Sequence, residues 1–300
     1  LVGSYVLAAA NVGTLLGALV SALLRAVLTD TELTEWGWRL PFLSGILVSF
    51  VGIYLRNNVE EHGFKPEGGE VPDNPLKLAF APGRRRMLLA ACLAPFLWSG
   101  GFYICFVWMA IFMADIVSPA IPYAFWVNCA SLFVSVCLFF PFAGILSDRY
   151  GRLPVMTCGG LSFGILAPLL VYLISQGSSV LAFFAQCVFG VSLSLYGAPL
   201  MAWLVEAFPP DARLTSVAIG YNIAQALMGG TASTVATLLV EYFSDVTPGF
   251  YLTGVAVLSL VGLRFVAGEP EIETTMEIEV FETENVYVTE TVAVEKREIA

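Results

Sequence analysis

Apolar residues fall into long runs that are separated by short polar stretches along most of the chain. Eight runs are long enough to cross a hydrocarbon core of ~30 Å, which needs about 20 residues of helix. The predicted spans are residues 3–28, 39–55, 87–114, 121–146, 154–175, 180–206, 213–240 and 247–267. The runs lack the alternation of barrel strands, and unpaired backbone groups are costly in lipid. The pattern therefore predicts an all-α polytopic membrane protein.

Composition agrees with this pattern, because 58% of the residues are hydrophobic, 13% are charged and the mean hydropathy is +0.80. Soluble domains of this length carry far more charge. The net charge of -10 comes mostly from residues 269–300, where ten Glu stand against Lys296 and Arg297. Residues 268–300 are therefore interpreted as an acidic, disordered cytoplasmic tail.

The basic residues of the predicted loops lie on one side of the membrane. They are Arg56, Lys65, Lys77, Arg84, Arg85, Arg86, Arg149, Arg152 and Arg213. The alternate loops carry acidic residues instead, and short cytoplasmic loops accumulate Lys and Arg. This distribution predicts a multi-pass protein of the cell membrane, surrounded by the lipid bilayer, with both chain ends in the cytoplasm.

Residues that could carry enzyme chemistry are sparse. The six cysteines all lie in predicted spans without C-x-x-C spacing, and His62 is the only histidine. The sequence contains no H-E-x-x-H motif, phosphate-binding loop or Ser/His/Asp pattern. It predicts no enzyme activity, no cofactor, no metal site and no nucleic-acid partner.

One charged string, "GILSDRYGR", interrupts the apolar runs after the fourth predicted span. It resembles the loop signature G-x-L-[AS]-D-[RK]-x-G-R of the major facilitator superfamily. The resemblance implies a conformational latch that holds the cytoplasmic ends of the protein's two halves in one conformation, formed by Gly144, Asp148, Arg149, Gly151 and Arg152. An Asp can complement a helix N-terminus, and glycines permit a tight reversal.

The position of this string implies a register. In the superfamily the signature follows the second and the eighth of twelve helices, and four predicted spans follow it here. The resemblance therefore implies helices five to twelve, with residues 1–55 as the last two helices of the N-terminal half. Residues 56–86 would be the cytoplasmic central loop and residues 87–267 the C-terminal six-helix half. The chain is expected to be a fragment that lacks the first four helices.

Three further strings resemble the metabolite:proton symporter family, which includes proline/betaine, shikimate, citrate and α-ketoglutarate permeases. They are "WGWRLPFL" (36–43), "EAFPPDAR" (206–213) and "GYNIAQALMGGTA" (220–232). The family-motif residues are Trp36, Arg39, Glu206, Pro209 and Arg213. The chain departs from the family after Arg56, where a proline-containing string is absent, and at Ser233, where a proline is usual. No particular member's substrate is carried over.

Polar or aromatic residues at mid-membrane depth are candidates for solute contact, because uncompensated polar groups are expensive there. The candidates are Asn11, Trp98, Tyr103, Asn128, Gln186, Tyr196, Asn222 and Gln225. No charged residue and no histidine lies near the middle of any predicted span, so proton-coupling residues are expected in the missing helices. Small-residue pairs such as Gly13 with Gly17, and Gly159 with Gly160, predict close helix packing.

The resulting hypothesis is a secondary transporter of a small polar organic solute, a carboxylate or a zwitterion, that works by alternating access with a proton as the coupling ion. Two alternatives stay open. One is another major facilitator branch, such as a sugar or drug transporter. The other is an eight-helix receptor or scaffold whose acidic tail recruits a partner.

Overall fold

Eight helical spans make up most of the computed structural model, which describes residues 2–58, 80, 85–207 and 213–265. Each span is long and apolar enough to cross a membrane. They are α1 (Val2–Val27), α2 (Asp30–Asn58), α3 (Arg85–Ile116), α4 (Ala124–Tyr150), α5 (Arg152–Ser175), α6 (Ser179–Glu206), α7 (Thr215–Tyr242) and α8 (Thr247–Arg264). The described residues contain no strand. The prediction of an all-α protein with eight spans is confirmed.

Two predicted segments lie largely outside the described residues. Of the predicted central loop, residues 56–58 complete α2 and Arg85 and Arg86 begin α3. The remainder of that loop, apart from Phe80, lies outside the described residues, as does the predicted tail. The division of the chain into an N-terminal pair and a C-terminal set of six helices stays a prediction.

α6 is the central helix of the bundle. It packs against α5, α4, α3 and α1, while α8 packs against α5 and α3, and α7 packs against α3. The rings of Phe163 in α5 and Phe189 in α6 are fully buried, with centroids 5.1 Å apart. Because lipid removes the hydrophobic drive between helices, such dense contacts hold the helices together in a membrane.

Glycine allows the backbones of α5 and α6 to touch. A Cβ placed at Gly159 would lie 2.7 Å from the Tyr196 amide nitrogen and 2.8 Å from the Ser192 carbonyl oxygen. The prediction of close packing is therefore confirmed at Gly159. It is not met at Gly13 and Gly17, because no described atom lies within 4 Å of a Cβ placed at either position.

α3 departs from regular α-helical geometry in three π-helical segments, which are Leu97–Gly101, Tyr103–Trp108 and Phe112–Ile116. Pro95 precedes the first segment and has no N–H to donate. The Ser259 hydroxyl of α8 accepts from the Leu97 N–H at 2.7 Å and donates to the Leu93 carbonyl at 3.0 Å. Backbone groups freed inside a membrane need such partners, so α8 stabilises this irregular part of α3.

α2 already begins at Asp30, although the sequence predicted a loop before residue 39. Thr29 and Glu32 form a capping box, in which the Thr29 hydroxyl accepts from the Glu32 N–H and the Glu32 carboxylate accepts from the Thr29 N–H. This pair of bonds starts a helix at Asp30. A π-helical turn, Leu33–Gly37, then leads into the apolar part of α2.

An ion pair joins the end of α1 to α3. Arg25 donates to both carboxylate oxygens of Asp115, at 3.4 Å and 3.2 Å. The guanidinium also lies 4.4 Å from the ring centroid of Phe125 in α4. A single side chain at the end of α1 therefore connects it with both α3 and α4.

Candidate functional site

The signature string lies at the junction of α4 and α5. α4 continues through Asp148 and Arg149 to Tyr150, and α5 begins at Arg152. The predicted loop is wrong in extent, because Gly151 is its only non-helical residue. Gly151 has φ +92°, a conformation that favours glycine and permits this tight reversal. Arg149 and Arg152 are thus placed on helix ends rather than in a loop.

Arg152 joins the ends of three helices. Its Nη2 lies 3.1 Å from Glu206 Oε1 and its Nε lies 3.3 Å from Glu206 Oε2, at the end of α6. Its Nη1 donates to the Ser147 hydroxyl at 3.1 Å and also to the Asp148 carboxylate, both in α4. Two parallel bonds to one carboxylate fix the geometry of the pair as well as adding energy.

This charged cluster, consisting of Ser147, Asp148, Arg152 and Glu206, is partly shielded from water. The Arg152 side chain is 24% exposed, and Ser147 is buried. Fully exposed ion pairs contribute roughly 0–1 kcal/mol, and a half-buried bidentate pair is screened less. The sequence named Arg152 and Glu206 in separate motifs but gave no signal that they pair.

The other signature and motif residues have simpler surroundings. Gly144 is buried within α4, and the Arg149 guanidinium lies 5.5 Å from the ring centroid of Tyr150. Pro209 lies outside the described residues. Arg213 is the first residue of the helix Arg213–Ala224, which forms the first part of α7.

The "WGWR" residues lie at the start of the apolar part of α2. Trp36 and Trp38 are both exposed. The Arg39 guanidinium lies 4.5 Å from the ring centroid of Trp38, and it donates to the Glu35 carbonyl one turn earlier. These contacts are all local to α2.

Gln186 and Asn128 form a buried amide network between α6, α4 and α3. Gln186 Nε2 donates to Asn128 Oδ1 at 2.8 Å and to the Cys105 carbonyl at 2.9 Å. Gln186 Oε1 accepts from the Ser131 hydroxyl at 2.9 Å. Asn128 Nδ2 donates to the Phe106 carbonyl at 3.0 Å. The two amides therefore donate to carbonyls of the second π-helical segment of α3. Each amide nitrogen and oxygen has at least one hydrogen-bond partner within the protein.

Tyr196 also bonds to a backbone carbonyl of α3, just before the first π-helical segment. Its side chain is fully buried in α6, and its hydroxyl donates to the Ala94 carbonyl at 2.7 Å. Asn11 is also buried, on α1, and its Nδ2 has no partner among the described residues. Among the four candidates Asn11, Asn128, Gln186 and Tyr196, only Asn11 has a polar side-chain atom without a hydrogen-bond partner in the part of the chain that the structure describes.

Three other candidates meet between α3 and α7. We call Trp98, Tyr103, Tyr221 and Gln225 the aromatic–amide cluster. Gln225 Nε2 donates to the Tyr221 hydroxyl at 3.2 Å, and Trp98 interacts with the same hydroxyl. The Tyr103 ring lies 3.1 Å from a Cβ placed at Gly229, and Gln225 Oε1 lies 3.2 Å from that position. The phenol ring and the amide oxygen therefore pack closely against Gly229, with little room for a side chain at that position.

Neighbouring residues hold Trp98 in place. Its ring packs against Phe102 and Phe140, with centroids 5.2 Å and 5.5 Å away. A Cβ at Gly197 of α6 would lie 2.3 Å from Trp98 Cε3, so only glycine leaves room for the indole. Asn222 does not join the cluster through any described contact. It is exposed on α7 and donates to the Ala218 carbonyl of its own helix.

The aromatic–amide cluster has an unused acceptor and an accessible rim. Gln225 Oε1 is buried and has no hydrogen-bond partner among the described residues, whereas Tyr103 is 41% exposed. A buried unsatisfied acceptor costs roughly 1–3 kcal/mol, which a donor from a bound molecule would recover. Aromatic faces attract cationic groups. The cluster therefore combines an unused acceptor with aromatic rings, one of which is partly exposed.

Comparison with known proteins agrees with the helices and motifs. The proline/betaine transporters of Salmonella typhimurium and Escherichia coli K12 are each 28% identical to the chain over 262 residues, covering 83% of it and 52% of their own length. The citrate-proton symporter of Klebsiella pneumoniae is 26% identical over 258 residues, covering 84% of this chain and 57% of its own length. The chain spans about half the length of the curated relatives it matches. No solved structure matches it significantly.

The family profile described as Major Facilitator Superfamily matches residues 123–284, which is just over half of the chain. This range includes the signature at the α4–α5 junction and the "EAFPPDAR" and "GYNIAQALMGGTA" strings. Eight membrane-length helices, the charged junction and this match lead to one assignment. The chain belongs to the major facilitator superfamily.

Proposed function

We propose that the chain is the C-terminal part of a secondary transporter that moves a small polar organic solute across the cell membrane. In this proposal α1 and α2 are helices five and six of a twelve-helix protein, and α3 to α8 form its C-terminal half. The half of the relatives' length that this chain does not span would supply the first four helices. The packing of α1 along α4 and α6 gives the two halves a shared surface.

The aromatic–amide cluster carries the proposal about the solute. Its unused Gln225 Oε1 is an acceptor for an ammonium or hydroxyl group of a ligand. Its rings favour a cationic group, and the Tyr221 hydroxyl is a donor for a carboxylate. Both chemistries within one site fit a zwitterion or an amphoteric carboxylate. The names of the matched relatives, proline/betaine transporter and citrate-proton symporter, belong to the same range of solutes.

The charged cluster at the α4–α5 junction is proposed to be the conformational latch. Arg152 holds α4, α5 and α6 together at one end through its bonds to Asp148 and Glu206. Alternating access requires one bundle to rock against another around a central site. These bonds lie within the proposed C-terminal half, where they order the ends of α4, α5 and α6. In this proposal the ordered end is the surface that latches against the N-terminal half.

Orientation and coupling complete the proposal. The arginines at the α4–α5 junction support a cytoplasmic position for that end of the bundle, because short cytoplasmic loops accumulate Lys and Arg. A proton is proposed as the coupling ion, because the family resemblance includes proton symporters. The titrating carboxylate would belong to the first four helices, since the spans of this chain carry acidic residues only near their ends.

Uptake by the complete transporter tests the solute assignment. We expect labelled proline or betaine uptake to be inhibited by other zwitterions and by small carboxylates, and not by sugars. Gln225→Leu removes the unused acceptor and should raise KM about tenfold or more, as loss of a hydrogen bond to a charged group does. Gln176→Leu is the matched control, because Gln176 is exposed at the end of α5 and bonds only to Tyr172 of its own helix.

Two results would contradict this assignment. Inhibition by sugars or bulky apolar drugs, with no effect of zwitterions, would favour another branch of the superfamily. An unchanged KM in Gln225→Leu, with normal amounts of protein in the membrane, would remove the aromatic–amide cluster from the solute site.

A further inference from the structure

A groove opens between α5 and α8 at the same end of the bundle as the charged cluster. It has a volume of about 570 Å³ and is lined by Leu153, Pro154, Thr157, Cys158, Leu161, Ser162 and Arg264. The lining is mostly apolar, with Arg264 as its single charged group. The groove is separate from the aromatic–amide cluster, which lies between α3 and α7.

α5 and α8 pack tightly against each other next to the groove. The Thr253 hydroxyl of α8 donates to the Gly164 carbonyl of α5 at 2.7 Å. A Cβ at Gly160 would lie 2.8 Å from the Leu260 side chain. These contacts hold α5 and α8 together beside the groove.

The outer side of the groove continues into an apolar surface. On α5 the exposed side chains Leu161 and Ile165 follow each other at a spacing of four residues, and on α8 Val257 and Val261 do the same. Residues four apart share one face of a helix. Ile165 is 73% exposed, and this apolar surface is suited to contact with acyl chains.

Arg264 gives the groove a positive end. It is exposed at the last turn of α8 and forms no ion pair with any residue that the structure describes. Arg152, which lies at the same end of the bundle, has its charge compensated by Asp148 and Glu206. Among the residues that the structure describes, none compensates the positive charge of Arg264.

We propose that this groove is a binding site for an anionic phospholipid of the cytoplasmic leaflet. Arg264 binds the headgroup phosphate, and an acyl chain lies along Leu161, Ile165 and Val261. A guanidinium matches a phosphate through paired N–H···O bonds. Basic pockets between transmembrane helices on the cytoplasmic side recognise anionic headgroups in this way. The proposal depends on the membrane-spanning fold and on the orientation, and not on the identity of the transported solute.

Cys158 provides a local reporter for the test, because it is an exposed free thiol that lines the groove. The protein is extracted in mild detergent, freed of lipid, and treated with a maleimide while phosphatidylglycerol or phosphatidylcholine is titrated. Alkylation of Cys158 is measured by peptide mass spectrometry, and Cys158→Ser defines the background from the other cysteines. Phosphatidylglycerol is expected to slow alkylation at concentrations about fivefold lower than phosphatidylcholine, which corresponds to roughly 1 kcal/mol for one basic residue near the surface.

Variants identify the residue responsible. Arg264→Gln should abolish the preference for phosphatidylglycerol, and Arg264→Lys should keep part of it, because lysine retains the charge without the paired donors. Arg86→Gln is the matched control, since Arg86 is an exposed arginine at the start of α3 that does not line the groove. It should behave like the wild type. Melting curves of all variants establish that they are folded.

Three outcomes would overturn the proposal. The first is equal protection of Cys158 by both lipids in the wild type. The second is an unchanged lipid preference in folded Arg264→Gln. The third is full protection by inorganic phosphate alone, which would make the groove a site for soluble anions rather than for a lipid.

Discussion

Replacing Gln186 by leucine tests whether the buried amide network is structural. The substitution keeps a similar side-chain volume but removes both donors and the acceptor. The Cys105 carbonyl and Asn128 Oδ1 would each lose a bond, at present 2.9 Å and 2.8 Å long. Ser131 keeps a second acceptor in the Asn128 carbonyl at 3.0 Å, so its hydroxyl is not left without a partner.

The magnitude follows from the two acceptors that lose their donors. Each interhelical hydrogen bond in a membrane protein contributes about 0.6–2 kcal/mol, and a buried group left unsatisfied costs roughly 1–3 kcal/mol. Doubled for two groups, these two ranges overlap at about 2–4 kcal/mol, so Gln186→Leu should lower the free energy of unfolding by about that amount. For a protein of this size that corresponds to a fall in melting temperature of about 5–10 °C.

Thermal unfolding in detergent measures this loss, and Gln176→Leu is again the matched control because its amide bonds only within its own helix. In the complete transporter, Gln186→Leu should reduce the amount of folded protein without changing the KM for the solute. A variant that melts like the wild type but has a raised KM would refute this reasoning. Gln186 would then be a solute contact rather than part of the support of α3.

Other substitutions test separate parts of the structure. Asp148→Asn in the complete transporter should slow uptake several-fold while leaving membrane insertion intact, and unchanged uptake would remove the latch role. Gly197→Ala should destabilise the protein by about 1–3 kcal/mol through overpacking against Trp98. This loss of stability should be smaller when Trp98→Leu is also present. An equal loss with and without Trp98→Leu would contradict the contact. Arg25→Gln should lower stability by less than about 1 kcal/mol, because its pair with Asp115 is half exposed, and a larger loss in melting experiments would show a stronger link between α1 and α3.

The number and order of the spans could be predicted from the sequence, because a helix must present about 20 apolar residues to cross the hydrocarbon core. The helix ends could not. Hydropathy indicates which residues lie in the hydrocarbon core. A helix can continue beyond the core into polar residues when local hydrogen bonds stabilise it there. The capping box of Thr29 and Glu32 extends α2, and α4 runs through Asp148 to Tyr150 before Gly151 reverses the chain.

The π-helical segments of α3 were beyond prediction from local sequence. They depend on Ser259 and Gln186, which lie far away in the chain and supply partners to freed backbone groups. Pro95 and the glycines near it indicate a weak helix but do not specify which side chains support it.

Among the site candidates, polarity at mid-membrane depth did not separate the proposed solute contacts from residues that are bonded within the protein. The structure brings Trp98, Tyr103 and Gln225 together and adds Tyr221, which the sequence criterion missed although it lies within a family string. Asn128 and Gln186 satisfied the same criterion, and the structure places them in an internal network. The two sets of residues differ in their hydrogen-bond partners. Those of Asn128 and Gln186 come from other helices and are known only once the helices are packed.

The assignment of these spans to helices five to twelve of a transporter can be tested by the intact mass of the native protein. An antibody against residues 269–300 would recover it from its own membranes for mass spectrometry. The assignment predicts a product larger than 32.3 kDa by four further spans, which need about 20 residues each in the membrane alone. A product that matches 32.3 kDa would contradict it and would favour an eight-helix receptor or scaffold.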